Sequence, residues 1–208
     1  MAPEPTSNDP RKETNMTNKP HSVSRLHSSV IMDGPDRAPA RAMLRATGLG
    51  DLDLGRPFVG VSNLASDVTP CNDHLDPIVK AAKEGVRFAE GTPFEFGTMT
   101  VSDAVSMGTQ GMKASLVSRE VIADSIELVA FAEGFDGLVT IAGCDKNLPG
   151  SLMGISRLNR PSLIVYGGSM KSTKYKDKNL DIVSAFESYG QYMSGKITEE
   201  ERLDIIQN

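Results

Sequence analysis

Two kinds of hydrophobic pattern alternate along this chain. Short apolar runs rich in β-branched residues occupy residues 57–63, 94–101, 137–142 and 161–166. Between and after them, apolar positions recur every three or four residues, at residues 75–89, 118–134, 149–158 and 181–193. The first pattern predicts buried strands and the second predicts amphipathic helices. Strands that alternate with helices favour an α/β fold, here a layered α/β/α domain with a mostly parallel sheet.

Local signals place the ends of some helices. Ser118 is a predicted N-cap and Gly134 a predicted C-terminal glycine, so a helix is expected over 118–134. Thr198 with Glu201 forms a predicted capping box for a last helix, after which no strand follows. Because a doubly wound sheet normally continues, the domain over 23–208 is expected to be incomplete.

Composition narrows the classes of function. The chain has 208 residues, a net charge of −5 and a pI near 5.3, which disfavours a nucleic-acid partner. No apolar run approaches the length of a membrane helix, so a membrane partner is not expected. Residues 1–22 are polar and predict a disordered arm without the apolar core of a secretory signal. We therefore expect a protein that is not secreted, with mitochondrial and cytoplasmic locations both open.

Chemically reactive side chains follow three of the predicted strands. Cys71 comes after the first strand, Asp103 after the second, and Cys144, Asp145 and Lys146 come after the third. In open α/β sheets, ligand sites gather at the carboxyl ends of strands. Thiolates prefer soft metals and iron–sulfur clusters, whereas carboxylates prefer Mg²⁺ or Mn²⁺. The mixture predicts two neighbouring sites, one soft and one hard.

Each of these residues also has a purely structural interpretation. Asp103 and Asp145 could cap helices, and a lone cysteine is commonly a buried core residue. His74 is expected at a helix start as a surface or capping residue rather than a ligand. Arg37, Arg41 and Arg45 recur every four residues, so a helix from about Pro39 would line them on one face. Arg45 is expected to be solvated, and a role for Arg37 in binding a carboxylate stays open.

Several segments together resemble dihydroxy-acid dehydratase, whose family includes 6-phosphogluconate and sugar-acid dehydratases. The matching segments lie at residues 33–41 (DGPDRAPAR), 69–74 (TPCNDH), 100–108 (TVSDAVSMG), 118–127 (SREVIADSIE), 143–150 (GCDKNLPG) and 166–170 (YGGSM). The resemblance runs from about residue 30 to residue 170. It implies that this chain corresponds to the N-terminal α/β part, without the family's β-rich C-terminal domain.

The resemblance also implies a role for each matched position. Cys71 and Cys144 correspond to two of three cysteine ligands of an iron–sulfur cluster, with a [2Fe–2S] form favoured over a [4Fe–4S] form. Asp103 and Asp145 correspond to Mg²⁺ ligands. Lys146 corresponds to a lysine that is carbamylated and so becomes an anionic ligand, whereas an unmodified lysine is a cation and a poor one.

The implied reaction is dehydration of a 2,3-dihydroxy-3-methyl carboxylic acid to a 2-oxo acid, in branched-chain amino-acid (isoleucine and valine) biosynthesis. The family's third cysteine, a further Mg²⁺ ligand and the serine base find no match here, so no catalytic base is assigned in this chain. Activity of the chain alone is expected to be absent or weak. The implied partners are a small dihydroxy acid and a second subunit, as a homodimer or by docking on a full-length subunit. The alternatives are a non-catalytic remnant and part of a sugar-acid dehydratase.

Overall fold

The computed structural model describes residues 25–207, and the predicted N-terminal arm, residues 1–22, lies outside them. Nine α-helices are found in the described part: α1 (Ser28–Met32), α2 (Ala38–Ala46), α3 (Asp51–Leu54), α4 (Leu75–Phe88), α5 (Asp103–Ser106), α6 (Lys113–Ala132), α7 (Asn147–Leu158), α8 (Ile182–Met193) and α9 (Glu199–Gln207). Short 3-10 helices at Pro35–Arg37 and Gln110–Met112 precede α2 and α6.

Four strands form one parallel sheet and two more form a small hairpin. They are β1 (Phe58–Asn63), β2 (Thr92–Gly97), β3 (Gly137–Ala142), β4 (Ser162–Tyr166), β5 (Thr173–Tyr175) and β6 (Lys178–Leu180). The order in the sheet is β2-β1-β3-β4, and every neighbouring pair is parallel. The α/β prediction is therefore confirmed.

The order of the strands creates a switch point between β1 and β3. The chain goes from β1 to β2 on one side, then passes over β1 to β3 and on to β4. Since parallel crossovers are right-handed, α4 lies on one face of the sheet and α6 and α7 lie on the other. Loops that follow β1 and β3 therefore diverge at the carboxyl end of the sheet, where α/β proteins bind their ligands.

The hydrophobic core lies between the sheet and its helices. Val61 and Ile141 on the central strands and Ile122 and Ile126 on α6 are 0% exposed. Phe135 packs directly over Gly60, where a Cβ atom would lie 2.4 Å from the phenyl ring. Glycine is needed at this position of β1 because the ring occupies the space of a side chain.

The sequence misplaced the start of one long helix. Helix α6 begins at Lys113, five residues before the predicted N-cap Ser118, which is buried within the helix and donates its hydroxyl to Ser115 O at 2.6 Å. The error has a physical reason: a serine satisfied inside a helix carries the same sequence signal as a cap. The predicted end is confirmed, because Gly134 has a φ of +59° just beyond the helix.

One predicted strand is shorter in the structure, and a predicted capping box is present. Strand β2 ends at Gly97, so residues 98–101 belong to the loop before α5. The lysine-rich residues after β4 form the β5–β6 hairpin, which spans residues 173–180. The capping box is confirmed: Glu201 N–H donates to Thr198 Oγ1 at 3.2 Å, and Thr198 N–H donates to Glu201 at 2.9 Å.

None of the helices described between residues 25 and 207 is both long enough and apolar enough to cross a membrane.

Candidate functional site

The reactive side chains follow adjacent strands at one edge of the sheet. Cys71 lies in the loop between β1 and α4, and Cys144 lies in the loop between β3 and α7. Asp103 is the first residue of α5, after β2. Because the sheet order is β2-β1-β3, these three loops are neighbours, and those of the two cysteines flank the switch point.

The two cysteine loops touch each other. A Cβ atom on Gly143 would lie 2.1 Å from the carbonyl oxygen of Cys71, so the two backbones pack with no room for a side chain. Cys144 is 5% exposed, whereas Cys71 is half-buried, and both are free thiols. Burial raises the pKa of the Cys144 thiol, and the charge of the neighbouring Cys71 raises it further.

Two carboxylates share one ammonium beside the cysteines. Nζ of Lys146 donates to Asp103 Oδ2 at 2.8 Å and also to Asp145. Hydrogen bonds to Asp103 and Asp145 raise the pKa of Lys146, so the amine is held as a cation. The Lys146 and Asp103 side chains are 19% and 17% exposed, but that of Asp145 is 68% exposed and reaches solvent.

Ser115 orients Asp103 from the first turn of α6. Its hydroxyl donates to Asp103 Oδ1, which leaves Oδ2 for Lys146. Burial alone would raise the pKa of Asp103, but hydrogen bonds from Lys146 and Ser115 bring it below its ordinary value. The sequence did not single out Ser115, because α6 was expected to start beyond it; its position in the first turn of a longer helix was the missing signal.

The helix-capping interpretation of both aspartates does not hold. Ser102 occupies the N-cap of α5, and Lys146 occupies the N-cap of α7. Asp103 instead uses its carboxylate oxygens for Ser115 and Lys146. Neither aspartate side chain is used to cap a helix, and both carboxylates contact Lys146.

Two buried asparagines also lie here, and the sequence did not identify them as part of the site. Asn72 Nδ2 donates to Asn147 Oδ1 at 2.7 Å, which links the two cysteine loops. Asn72 is one position after Cys71 and Asn147 is three positions after Cys144, so an asparagine shortly after each cysteine is the signal that could have found them.

The remaining candidates lie around the site rather than in it. His74 is the N-cap residue of α4, as expected, and its Nε2 contacts the Gly167 carbonyl oxygen at 2.8 Å, which ties this loop to the end of β4. Arg45 forms an exposed ion pair with Asp51, and Arg37 forms one with Asp36, the residue before it. Arg37 therefore shows no contact with the site.

The donor atoms fit two metal groups in part. Within residues 25–207, no three His, Cys, Asp or Glu side chains lie close enough together to hold a metal ion. Cys71 and Cys144 offer two soft sulfur ligands, and Asp103 and Asp145 offer hard oxygen ligands, so each group would need a further donor. A carbamylated Lys146 would supply one such oxygen donor on the hard side.

A separate apolar cavity of about 300 Å³ lies between α2, α6 and the sheet. Its walls include Phe58, Phe94 and Phe135, and its charged lining is limited to Glu95 and Glu133. It holds none of the cysteine, aspartate or lysine side chains of the site. The strand-end loops, not this cavity, carry the groups able to do chemistry.

Comparison with known proteins agrees with the residues at these strand ends. Residues 56–208 match the family described as dihydroxy-acid/6-phosphogluconate dehydratase N-terminal. A protein named dihydroxy-acid dehydratase from Natronomonas pharaonis is 53% identical over 184 residues, which cover 88% of this chain and 31% of the relative. Relatives of the same name from Chloroflexus aurantiacus and Haloarcula marismortui are 54% and 49% identical, covering 86% and 94% of this chain.

This chain spans about a third of the length of those relatives, 32% and 33% in the last two cases. The family match nevertheless extends over residues 56–208, which include β1 to β4 and all five candidate ligands. The chain belongs to the dihydroxy-acid/6-phosphogluconate dehydratase N-terminal family.

Proposed function

We propose that this chain provides part of the active site of a hydro-lyase that converts a 2,3-dihydroxy-3-methyl carboxylic acid into a 2-oxo acid. The observation that carries the proposal is the placement of Cys71 and Cys144 on either side of the switch point, beside Asp103 and Lys146. Relatives named dihydroxy-acid dehydratase support the substrate class. The reaction would belong to branched-chain amino-acid biosynthesis.

Cys71 and Cys144 would hold an iron–sulfur cluster, which we expect to be of the [2Fe–2S] type. Sulfur ligands suit such clusters, but two cysteines do not complete one, so a further ligand must come from outside the described residues. When bound, a cluster with an open iron would act as a Lewis acid on the leaving 3-hydroxyl group of the substrate. Of the two sulfur ligands, Cys144 is buried and Cys71 is half-buried.

Asp103, Asp145 and Lys146 would hold Mg²⁺, which would bind the substrate carboxylate and 2-hydroxyl groups. An ammonium can only donate, so Lys146 would join as a ligand only after its amine has condensed with CO₂ to a carbamate and released a proton. Ser115 would keep one oxygen of Asp103 occupied and the other directed at the ion. Hard oxygen donors of this kind suit Mg²⁺.

The chain alone should bind iron weakly and show no robust turnover, because it offers two cysteine ligands and no assigned base. The purified chain would be reconstituted with iron, sulfide and Mg²⁺, then assayed for visible absorption, iron content and 2-oxo acid formation. Cys71→Ser is the matched control for the iron–sulfur cluster, and Asp103→Asn is the matched control for Mg²⁺. Robust turnover would overturn the claim that these residues alone are insufficient for activity, and iron binding unchanged in Cys71→Ser would overturn the cluster site.

The partner that fits this chain best is a longer member of the same family. Helix α6 exposes Val117, Leu128 and Phe131, at 61%, 66% and 73%, and such apolar groups commonly mark contact surfaces. Co-expression with a full-length dehydratase and co-purification through a tag on the partner tests this docking. A chain that stays monomeric and separate from the full-length enzyme would contradict it.

A further inference from the structure

Two asparagines join the loops that carry the cysteines. Asn72 follows Cys71 directly, and Asn147 is the first residue of α7, three positions after Cys144. The Asn72 Nδ2 atom donates to Asn147 Oδ1 at 2.7 Å although the residues are 75 positions apart in the chain. Both side chains are 0% exposed, so this bond belongs to the fixed interior of the site.

Asn147 also closes the turn that presents Cys144. Its Oδ1 accepts the N–H of Cys144 at 3.1 Å, and its own N–H donates to the Cys144 carbonyl oxygen at 3.0 Å. The two bonds run in opposite directions between the same two residues. They fix the backbone on both sides of the Cys144 side chain.

Asn72 holds the loop that presents Cys71 through two other bonds. Its Nδ2 donates to Leu64 O at 2.6 Å, just past the end of β1, and its N–H donates to Thr69 O at 2.9 Å. Thr100 Oγ1 donates to the same Leu64 oxygen at 2.9 Å, which brings in the loop after β2. These bonds fix the loop on both sides of Cys71, to the end of β1 and to Asn147.

Gly143 lies where the two cysteine loops touch, and it leaves the side-chain amides of Asn72 and Asn147 to set the distance between the loops. Gly143 has no room for a Cβ atom, which would lie 2.1 Å from Cys71 O and 2.9 Å from Asn72 Oδ1. The loops meet backbone to backbone, so hydrogen bonds rather than side-chain bulk set their relative position. Among the described residues, neither asparagine side chain hydrogen-bonds to Asp103, Asp145 or Lys146, and their contact with the loop before Asp103 is through Thr100.

We propose that Asn72 and Asn147 are a positioning pair that sets the spacing of the Cys71 and Cys144 sulfurs for a ligand bound by both. The role rests on the proposed function, in which that ligand is an iron–sulfur cluster. The spacing itself can be measured without iron, because it is a property of the two thiols. Asn147 Nδ2 and Asn72 Oδ1 have no hydrogen-bond partner among the described residues, so the two side chains are joined by the single bond from Asn72 Nδ2 to Asn147 Oδ1.

Phenylarsine oxide is the probe, because its arsenic(III) binds two nearby thiols at once and releases one water. Its affinity for the apo-chain would be measured for the wild type and for Asn72→Asp, Asn147→Ala and Asn147→Asp. Ser151→Ala is the matched control: Ser151 lies on α7, is 0% exposed, and its Oγ has no partner. Cys71→Ser defines the affinity of a single thiol, and circular dichroism confirms that each variant is folded.

We expect Asn72→Asp and Asn147→Ala to lose about tenfold in affinity, or about 1.4 kcal/mol. Asn147→Asp keeps the acceptor oxygen and should stay within about threefold of the wild type, as should Ser151→Ala. Asn72→Asp and Asn147→Ala change opposite partners of the bond, so the test can still be made if one of these variants fails to fold. Wild-type affinity no better than that of Cys71→Ser, or full affinity in a folded Asn72→Asp or Asn147→Ala chain, would overturn the pair.

The outcomes separate this inference from the function on which it rests. If the arsenic measurements match expectation but iron binding on reconstitution is the same in the wild type and in Cys71→Ser, the positioning pair stands and the cluster proposal fails. If iron binding falls in Cys71→Ser but folded Asn72→Asp keeps full arsenic affinity and wild-type iron binding, the pair fails and the cluster proposal stands.

Discussion

Gly143 is the residue at which the two cysteine loops come closest. An alanine there would place its Cβ atom 2.1 Å from Cys71 O, so the backbone of one loop must move. We expect Gly143→Ala to lower the free energy of unfolding by about 1–3 kcal/mol. Urea unfolding of the apo-chain measures this loss.

A second glycine supplies the control for Gly143. Gly85 lies in α4 with nothing within 4 Å of an added Cβ atom. Because alanine favours the helix, Gly85→Ala should raise the free energy of unfolding by about 0.5–1 kcal/mol. Equal effects of the two substitutions would contradict the close packing at Gly143.

Asp136 ties the N-terminal segment to the sheet through three backbone donors. Its Oδ1 accepts from His27 and Ser28 at 2.8 and 3.1 Å, and its Oδ2 accepts from Phe58 at 2.9 Å. Burial alone would raise the pKa of Asp136, but these hydrogen bonds bring it below its ordinary value. The carboxylate therefore stabilises the folded chain most strongly when it is ionised.

Asp136→Asn should lower the free energy of unfolding by about 1–3 kcal/mol near pH 7, because an amide cannot accept at both atoms. The folded pKa is the lower one, so the contribution is present above the unfolded value of about 3.9 and is lost as pH falls through the folded value. The stability gap between wild type and Asp136→Asn should therefore narrow below about pH 4. Denaturant unfolding of both proteins at several pH values measures this gap, and a gap that widens in acid would refute the prediction.

How far the sequence predicts the site depends on the distance over which each signal acts. Local hydrophobic patterns placed Cys71, Asp103 and Cys144 after three successive strands, and in the structure each lies between its strand and the next long helix. The bond between Asn72 and Asn147 depends on how β1 and β3 pair, which no local pattern contains. Tertiary hydrogen bonds of this kind are the part that sequence alone could not supply.

Among the described helices, α6 and α7 share the most extensive contact. Gly150 and Gly154 of α7 face α6, where a Cβ atom would lie 2.9 Å from Ile122 Cβ and 3.1 Å from Ile126 Cβ respectively. Small residues at this spacing let the two helices approach closely. The sequence predicted both helices but gave no sign that they pack together, because that contact depends on the crossover over β1.

Gly154→Leu should force α6 and α7 apart and lower the free energy of unfolding by about 3 kcal/mol or more. Ser156 lies on the exposed side of the same helix, so Ser156→Leu should change the free energy of unfolding by less than about 0.5 kcal/mol. Urea unfolding of both variants measures the difference. Equal losses in the two variants would show that the contact between the helices contributes little.

At the scale of the whole molecule, stability is uneven along the chain. The core cluster of buried apolar residues runs from Met32 to Ala142, and no apolar residue of α8 or α9 is buried. Helix α8 packs mainly on α9 and the β5–β6 hairpin, and of its residues only Ser188 is buried. The segment 173–207 therefore shares little of the interface that holds the sheet and α6 together.

Hydrogen exchange should resolve two levels of protection in the apo-chain. Amides of β1, β3 and α6 should exchange only through global unfolding, because their side chains form the core. Amides of α8 and α9 should exchange through local opening that costs at least about 2 kcal/mol less, since little apolar surface is exposed when they unfold. Helix α4 is the internal control, because it is also a surface helix but buries Leu75 and Val79. Protection of α8 equal to that of β3 would mean that the two parts unfold as one unit.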